Sequence, residues 1–396
     1  MYARRLVYGM MMTGAVLLAG CTQEDVTTEV TPSTGVAIAF DCNVAEDGGW
    51  TTTRAGEAGI SVTRDEEAGI SVTRDEEAGL SVTRAGKTGE FSGTNDLLHL
   101  TGFGLFAGHY DPTAAEGEEG KIDLMYNQEV KYNFLADDRD NGYWSYYPLK
   151  YWPNDLGETN QFFFSAYAPY VETGSGVTGI TAISDKTVND PYIDYTIATN
   201  LEDFVDLLWD AEVVKGQKRP MRLTMHHALA RLAITVKVAD AVDLTGKKVL
   251  IEEVKLKGHM ATNGRLMVNT PGETPRWTNV VVTEAPAEPR TITIDDKGSG
   301  WGIVDNDVRY ISDLPVQWQP KGLTVESRTA NVLSSDGHQA YIYLIPQDDL
   351  ELEASVKYWV IDGDGPATKS MKTEKVTIPH IVGNTPYNLN IIIKQL

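Results

Sequence analysis

The chain has 396 residues and a net charge of −22, with 34 Lys and Arg against 56 Asp and Glu. That charge repels nucleic acid and anionic membrane faces, so neither is expected as a partner. The length exceeds one ordinary core and makes two domains the expectation. Both cysteines, Cys21 and Cys42, precede residue 54, which excludes a disulfide framework or a cysteine metal site from the body.

Residues 1–20 read as a signal peptide. Arg4 and Arg5 precede an apolar run from Leu6 to Leu18, too short to span a bilayer comfortably. The run ends in Leu18-Ala19-Gly20-Cys21, which matches a bacterial lipobox. Acylated Cys21 would be the first residue after cleavage, and two or three acyl chains anchor far more firmly than one. The acidic start Thr22-Gln23-Glu24-Asp25 resembles the surface-export signal of Bacteroidetes lipoproteins.

A polar tether leads to Val36-Ala37-Ile38-Ala39-Phe40, where Val36, Ile38 and Phe40 share one face of an expected strand. A ten-residue unit follows four times, beginning at Gly49, Gly59, Gly69 and Gly79. Each copy carries a Thr-Arg pair, so Arg54, Arg64, Arg74 and Arg84 recur at one spacing. The unit reads as a flexible linker over 55–90 and as a series of cut sites for an arginine-specific protease. Ile60-Ser61-Val62-Thr63 also alternates, which allows transient strand pairing.

From residue 91 the pattern is β. Strands are expected at Leu100–Phe106, interrupted by Gly102 and Gly104, at Met125–Phe134 and around Tyr143–Tyr146. Phe162-Phe163-Phe164 predicts a strand buried on both faces. Residues 171–200, rich in Gly, Thr and Ser, read as loop, and Phe204–Trp209 as a closing strand. Val214–Pro220 is the expected domain boundary, giving bodies at 91–218 and 219–396. Beyond it, His226–Arg231 reads as either a continuing strand or a helical turn. Further strands are expected at 249–256, 265–268, 278–283, 291–294, 340–345, 355–360 and 376–378. The short spacing, and the absence of a long 3.6-residue period, predict an all-β pair of sandwiches. Tyr387, Leu389, Ile391 and Ile393 share one face of a last strand that carries no proline after Pro386.

Signals for catalysis are weak. His226 and His227 are adjacent, and neighbouring strand residues face opposite ways, so they do not form a ligand pair. Asp203 with Asp206, or Asp305 with Asp307, could be cast as a glycosidase dyad, but a solvated acidic surface is the plainer reading. Asp362-Gly363-Asp364-Gly365 lacks the remaining ligands of a calcium loop and reads as a hairpin turn. No metal and no cofactor is expected. Tyr143, Trp144, Tyr146, Tyr147, Tyr151 and Trp152 serve either as core or as a sugar-stacking surface.

Several of these stretches together, in their order, resemble the fimbrillins, pilus subunits of Bacteroidales. They are the lipobox, the leader Val36–Phe40 followed by Thr53-Arg54-Ala55, and Tyr151-Trp152-Pro153 with Phe162–Pro169. Asp206–Trp209 followed by His227–Leu232, and Gly383–Tyr387 leading into the last strand, complete the set. The resemblance implies two tandem transthyretin-like β-sandwiches and an outer-membrane lipoprotein precursor that joins a surface fimbrium. It also implies a propeptide, residues 21–54, whose leader strand Val36, Ile38 and Phe40 departs when an arginine-specific protease cuts. The donor face Tyr387, Leu389, Ile391 and Ile393 of another subunit then fills the groove. Arg54 and Arg84 are each followed by Ala-Gly, whereas Arg64 and Arg74 are followed by Asp-Glu-Glu, which puts Arg54 first and Arg84 second as cut sites. The alternative is a surface lipoprotein that never polymerises and captures glycans through the aromatic cluster.

Overall fold

The structure is a computed structural model. It describes residues 36–44, 61–62, 70–74, 96–115, 119–135, 138–152, 161–173, 179–199, 203–215, 220–269, 271–272, 274–282, 288–295, 323–326, 328–331 and 341–396. The lipobox expected at Cys21, the cut sites expected at Arg54 and Arg84, and the acidic pair Asp305 and Asp307 lie outside the described residues. Residues 36–396 form one compact unit.

The described chain is all-β apart from one short helix. Strands β1 (Phe40–Val44), β2 (Ser61–Val62) and β3 (Ile70–Arg74) precede α1 (Asp96–Thr101). The next are β4 (Phe103–Tyr110), β5 (Gly120–Leu135), β6 (Asp138–Ser145), β7 (Gln161–Ala168), β8 (Ile180–Ile183), β9 (Tyr192–Thr196) and β10 (Leu208–Lys215). After them come β11 (Met221–His227), β12 (Ala230–Val238), β13 (Lys247–Gly258), β14 (Ala261–Met267), β15 (Arg276–Val282) and β16 (Arg290–Asp295). The chain closes with β17 (Thr329–Asn331), β18 (Tyr341–Leu344), β19 (Gln347–Asp362), β20 (Thr368–Ile381) and β21 (Pro386–Ile393).

These strands form four sheets. A seven-stranded sheet has the order β1-β11-β10-β7-β4-β5-β6, and a six-stranded one β17-β12-β21-β3-β2 with β18 also on β12. Two four-stranded sheets have the orders β16-β13-β19-β20 and β15-β14-β9-β8. In the first sheet β7 is buried along both faces, as three successive Phe require. Phe162, Phe164, Ala166 and Ala168 enter one apolar cluster, and Phe163 and Tyr167 the other.

Gly102 and Gly104 do different work from the strand-breaking expected of them. Gly102 has φ +65°, and its N–H donates to Leu98 O at 2.9 Å, which caps α1. Gly104 lies inside β4, where a Cβ would come within 2.2 Å of the Tyr167 ring. The glycine lets that ring lie on the strand.

The strand positions bear on three further expectations. The segment 171–200 carries β8 and β9, whose Ile180, Ile193 and Tyr195 are core residues hidden among polar loop-like neighbours. Val214–Pro220 joins β10 and β11, which pair in one sheet through Leu208↔His227 and Trp209↔His226. Its Gly, Lys and Pro signal a hairpin as readily as a linker. The chain instead changes sheet at Ala228-Leu229, a two-residue bend between β11 and β12, so His226–Arg231 is neither one strand nor a helical turn. Finally, β2 and β3 belong to two copies of the decapeptide, so the repeat is not linker throughout its described residues.

Candidate functional site

The segment expected as a leader strand, Val36–Phe40, makes backbone bonds from Val36 onward, but regular strand lies further along the chain. Ala37 bridges to Tyr151, Ile38 N–H donates to Lys150 O at 2.9 Å, and Trp152 N–H donates to Val36 O at 3.0 Å. The chain then moves to a second partner. Met221 N–H donates to Ala39 O at 2.7 Å, and β1 pairs in parallel with β11 from Phe40↔Met221 to Val44↔Met225. Regular strand thus occupies Phe40–Val44 rather than Val36–Phe40, and Val36 is 40% exposed. Ile38, Phe40, Cys42 and Val44 are buried, while Asp41 and Asn43 face out. Period-2 alternation therefore continues through residues whose polarity suggests a turn.

The β1 face is held mainly by aromatic groups. Phe40 makes edge contacts with Phe103, Tyr146 and Phe164 at centroid distances of 6.2, 5.5 and 6.2 Å. Tyr146 Oη donates to Ile38 O at 2.8 Å, and Trp144 Nε1 donates to Cys42 O at 3.2 Å. Burial pushes the Cys42 thiol well up, with Asp210 and Asp41 adding to the effect. A thiol so placed is a poor nucleophile.

Asp210 on β10 lies nearby, and its Oδ2 accepts from Thr224 N–H at 2.7 Å. Burial raises its carboxyl from the usual 3.8 to about 7, against the lowering effect of that hydrogen bond. The folded chain therefore holds an extra proton between these two pH values. Stability from the neutral carboxyl is complete below pH 3.8 and is lost as pH rises through about 7. Asp210→Asn keeps an acceptor for Thr224 and removes the charge. The variant is expected to gain on the natural chain between pH 5 and pH 8, by up to about 3 kcal/mol as an upper bound. Urea denaturation at both pH values measures it, and a gap that does not change with pH would refute the assignment.

At the other end of the chain, β21 lies between β12, which it meets in parallel, and β3, which it meets antiparallel. Tyr387, Leu389, Ile391 and Ile393 are 0–7% exposed and belong to the larger core cluster, while Asn388, Asn390, Ile392 and Lys394 are half-buried. The alternation expected of this strand is the one observed.

The aromatic cluster divides. Tyr146 and Trp152 are core, Trp144 packs edge-on to Phe103 at 4.9 Å, and Tyr143, Tyr147 and Tyr151 are 56%, 86% and 41% exposed. Asp206 forms no dyad with Asp203. It is fully buried, and its Oδ2 lies 2.5 Å from Nδ1 of buried His227. Its other carboxylate oxygen accepts from Leu207 N–H at 2.9 Å. This contact ties the approach to β10 to the end of β11. Sequence reasoning did not join the two residues, although both stood in the stretches that carried the family resemblance. Asp362–Gly365 is a tight turn between β19 and β20, with Gly365 N–H donating to Asp362 O at 3.0 Å.

Four sheets around apolar cores, with β1 on the edge of one sheet and β21 inside another, define an all-β sandwich-type protein among the described residues. The chain belongs to the fimbrillin-like family, whose model matches residues 83–396. No curated protein matches it. Among solved structures it is similar to a fimbrial protein from Bacteroides vulgatus, with 19% identity, 74% of this chain and 89% of that one covered, and a TM-score of 0.49. It is also similar to the fimbrial anchor protein Mfa2 from Porphyromonas gingivalis, with 11% identity, 68% of this chain and 72% of that one covered, and a TM-score of 0.26.

Proposed function

We propose that this chain is a subunit of a surface pilus, exported as an outer-membrane lipoprotein through Cys21. An arginine-specific protease cuts it after Arg54 or Arg84, and subunits join by donor-strand exchange. The β21 strand of one copy then takes the place that β1 leaves in the next. Family membership supports the pilus role. The observation that carries the exchange is the position of β1, an edge strand whose face Ile38, Phe40, Cys42 and Val44 fills a core. Arg54 lies ten positions after Val44 in the sequence.

The terminal strand presents four apolar residues at the same period as the leader. Each large apolar side chain it buries in the groove contributes ~1.5–3 kcal/mol. Each backbone hydrogen bond adds ~1 kcal/mol. Leaving its own sheet costs a comparable amount, so the drive comes from the groove that cleavage opens. N-terminal sequencing and a denaturing gel of protein taken from the cell surface test this. The expected result is a start at Ala55 or Ala85 with a ladder of multimers. A single lipidated band starting at Cys21 overturns it and favours glycan capture, for which the exposure of Tyr143, Tyr147 and Tyr151 is the supporting feature.

A further inference from the structure

One edge of β21 faces β12; the other is covered by β3, a segment of the third decapeptide copy. The register runs from Tyr387↔Arg74 through Leu389↔Val72 to Ile391↔Ile70. The two apolar positions of the repeat, Ile70 and Val72, thus fall opposite two buried positions of β21. Outside β3 lies β2, from the second copy, in antiparallel register Ser61↔Thr73 and Val62↔Val72.

Residues 59–68 and 69–78 are identical, Gly-Ile-Ser-Val-Thr-Arg-Asp-Glu-Glu-Ala, and the copy from Gly79 keeps Leu-Ser-Val-Thr-Arg. A slide of ten residues along β21 therefore restores the same pairing. Other slides do not. A one-residue slip moves the apolar positions to the wrong face. A five-residue slip sets Asp-Glu-Glu-Ala-Gly, a sequence of poor β-propensity, against β21.

We propose that the repeats are a strap of interchangeable strands, and that the outer edge of β21 is the docking site for one copy of Ile/Leu-Ser-Val-Thr-Arg from the same chain. The register moves in steps of ten residues. An uncovered edge is a template for pairing with other chains, and β21 has no proline after Pro386 to blunt it. Duplicated copies keep the edge covered whichever copy is in place. The inference needs only β21 and the repeats, and it stands whether or not the chain forms a pilus.

The test is disulfide trapping in the full chain with Cys21→Ser and Cys42→Ser. Asn390→Cys is combined in turn with Ser61→Cys, Ser71→Cys or Ser81→Cys, which occupy one position in three copies; Ser71 is the register partner of Asn390. Glu76→Cys is the out-of-phase control. Under mild oxidation all three serine variants are expected to form the intrachain bond at least roughly fivefold faster than the control, because docking raises the effective concentration. A Ser71→Cys rate no higher than the control overturns docking. A bond at Ser71→Cys with Ser61→Cys and Ser81→Cys at the control rate overturns interchangeability. Bonds that appear as dimers on a non-reducing gel overturn an intrachain strap. The second register pair, Thr73→Cys with Asn388→Cys, guards against a local fault at Asn390.

Discussion

Removal of residues 21–54 is expected to lower the thermal midpoint of the chain by roughly 10 °C. The four side chains of the β1 face, Ile38, Phe40, Cys42 and Val44, leave a core in which each is at most 7% exposed. At ~1.5–3 kcal/mol for each large one, the gross loss is on the order of 6–10 kcal/mol. Backbone freedom regained on release offsets part of that loss, while the backbone hydrogen bonds to β11 add to it. A net deficit of a few kcal/mol remains. Calorimetry of the intact and leaderless chains measures it, and midpoints within a degree or two of each other would mean that β1 is not a structural strand. A peptide spanning Pro386–Leu396 is expected to restore most of the loss, and a scrambled peptide none. Loss without rescue would keep the edge-strand reading and sink β21 as the donor. Cys42 offers a second readout, since its buried thiol should resist alkylation until the leader departs.

Ile391→Ala is expected to destabilise the chain by about 2–5 kcal/mol, and its neighbour Ile392→Ala by under ~1 kcal/mol. Ile391 is 1% exposed in the larger core, whereas Ile392 lies on the half-buried face of the same strand. Truncating the buried side chain leaves a cavity that close-packed neighbours fill only in part. Urea titration of the two variants decides the phase of β21, and equal costs would refute it. The comparison also bears on assembly. The face that would enter another subunit is the face that closes its own sheet, so a core variant weakens donor and scaffold together. A defect confined to assembly would have to come from the acceptor side, at residues such as Tyr146 or Phe164 that line the β1 face.

Local alternation was enough to find β21, β7 and most strands of the body. Tyr387, Leu389, Ile391 and Ile393 repeat at period 2 without interruption, and three successive Phe leave a strand no polar face. The phase of β1 was legible but its extent was not. Asp41 and Asn43 look like turn residues, yet they face outward on a strand whose buried face includes Cys42 and Val44. In 171–200, β8 and β9 were masked by Gly, Thr and Ser that surround a few buried apolar residues.

Composition, the Thr-Arg repeats and the β period are properties of neighbouring residues, and neighbours in sequence are enough to read them. Pairing partners are set by contacts between distant segments, and no local pattern names them. Only the folded chain places β1 beside β11 and aligns β3 with β21. It alone joins Asp206 to His227, and buries Asp210 so that a surface-like carboxylate becomes a group titrating near neutrality. The same holds for Val214–Pro220, because a turn signal reports that the chain reverses and not whether the strands it joins remain in one sheet.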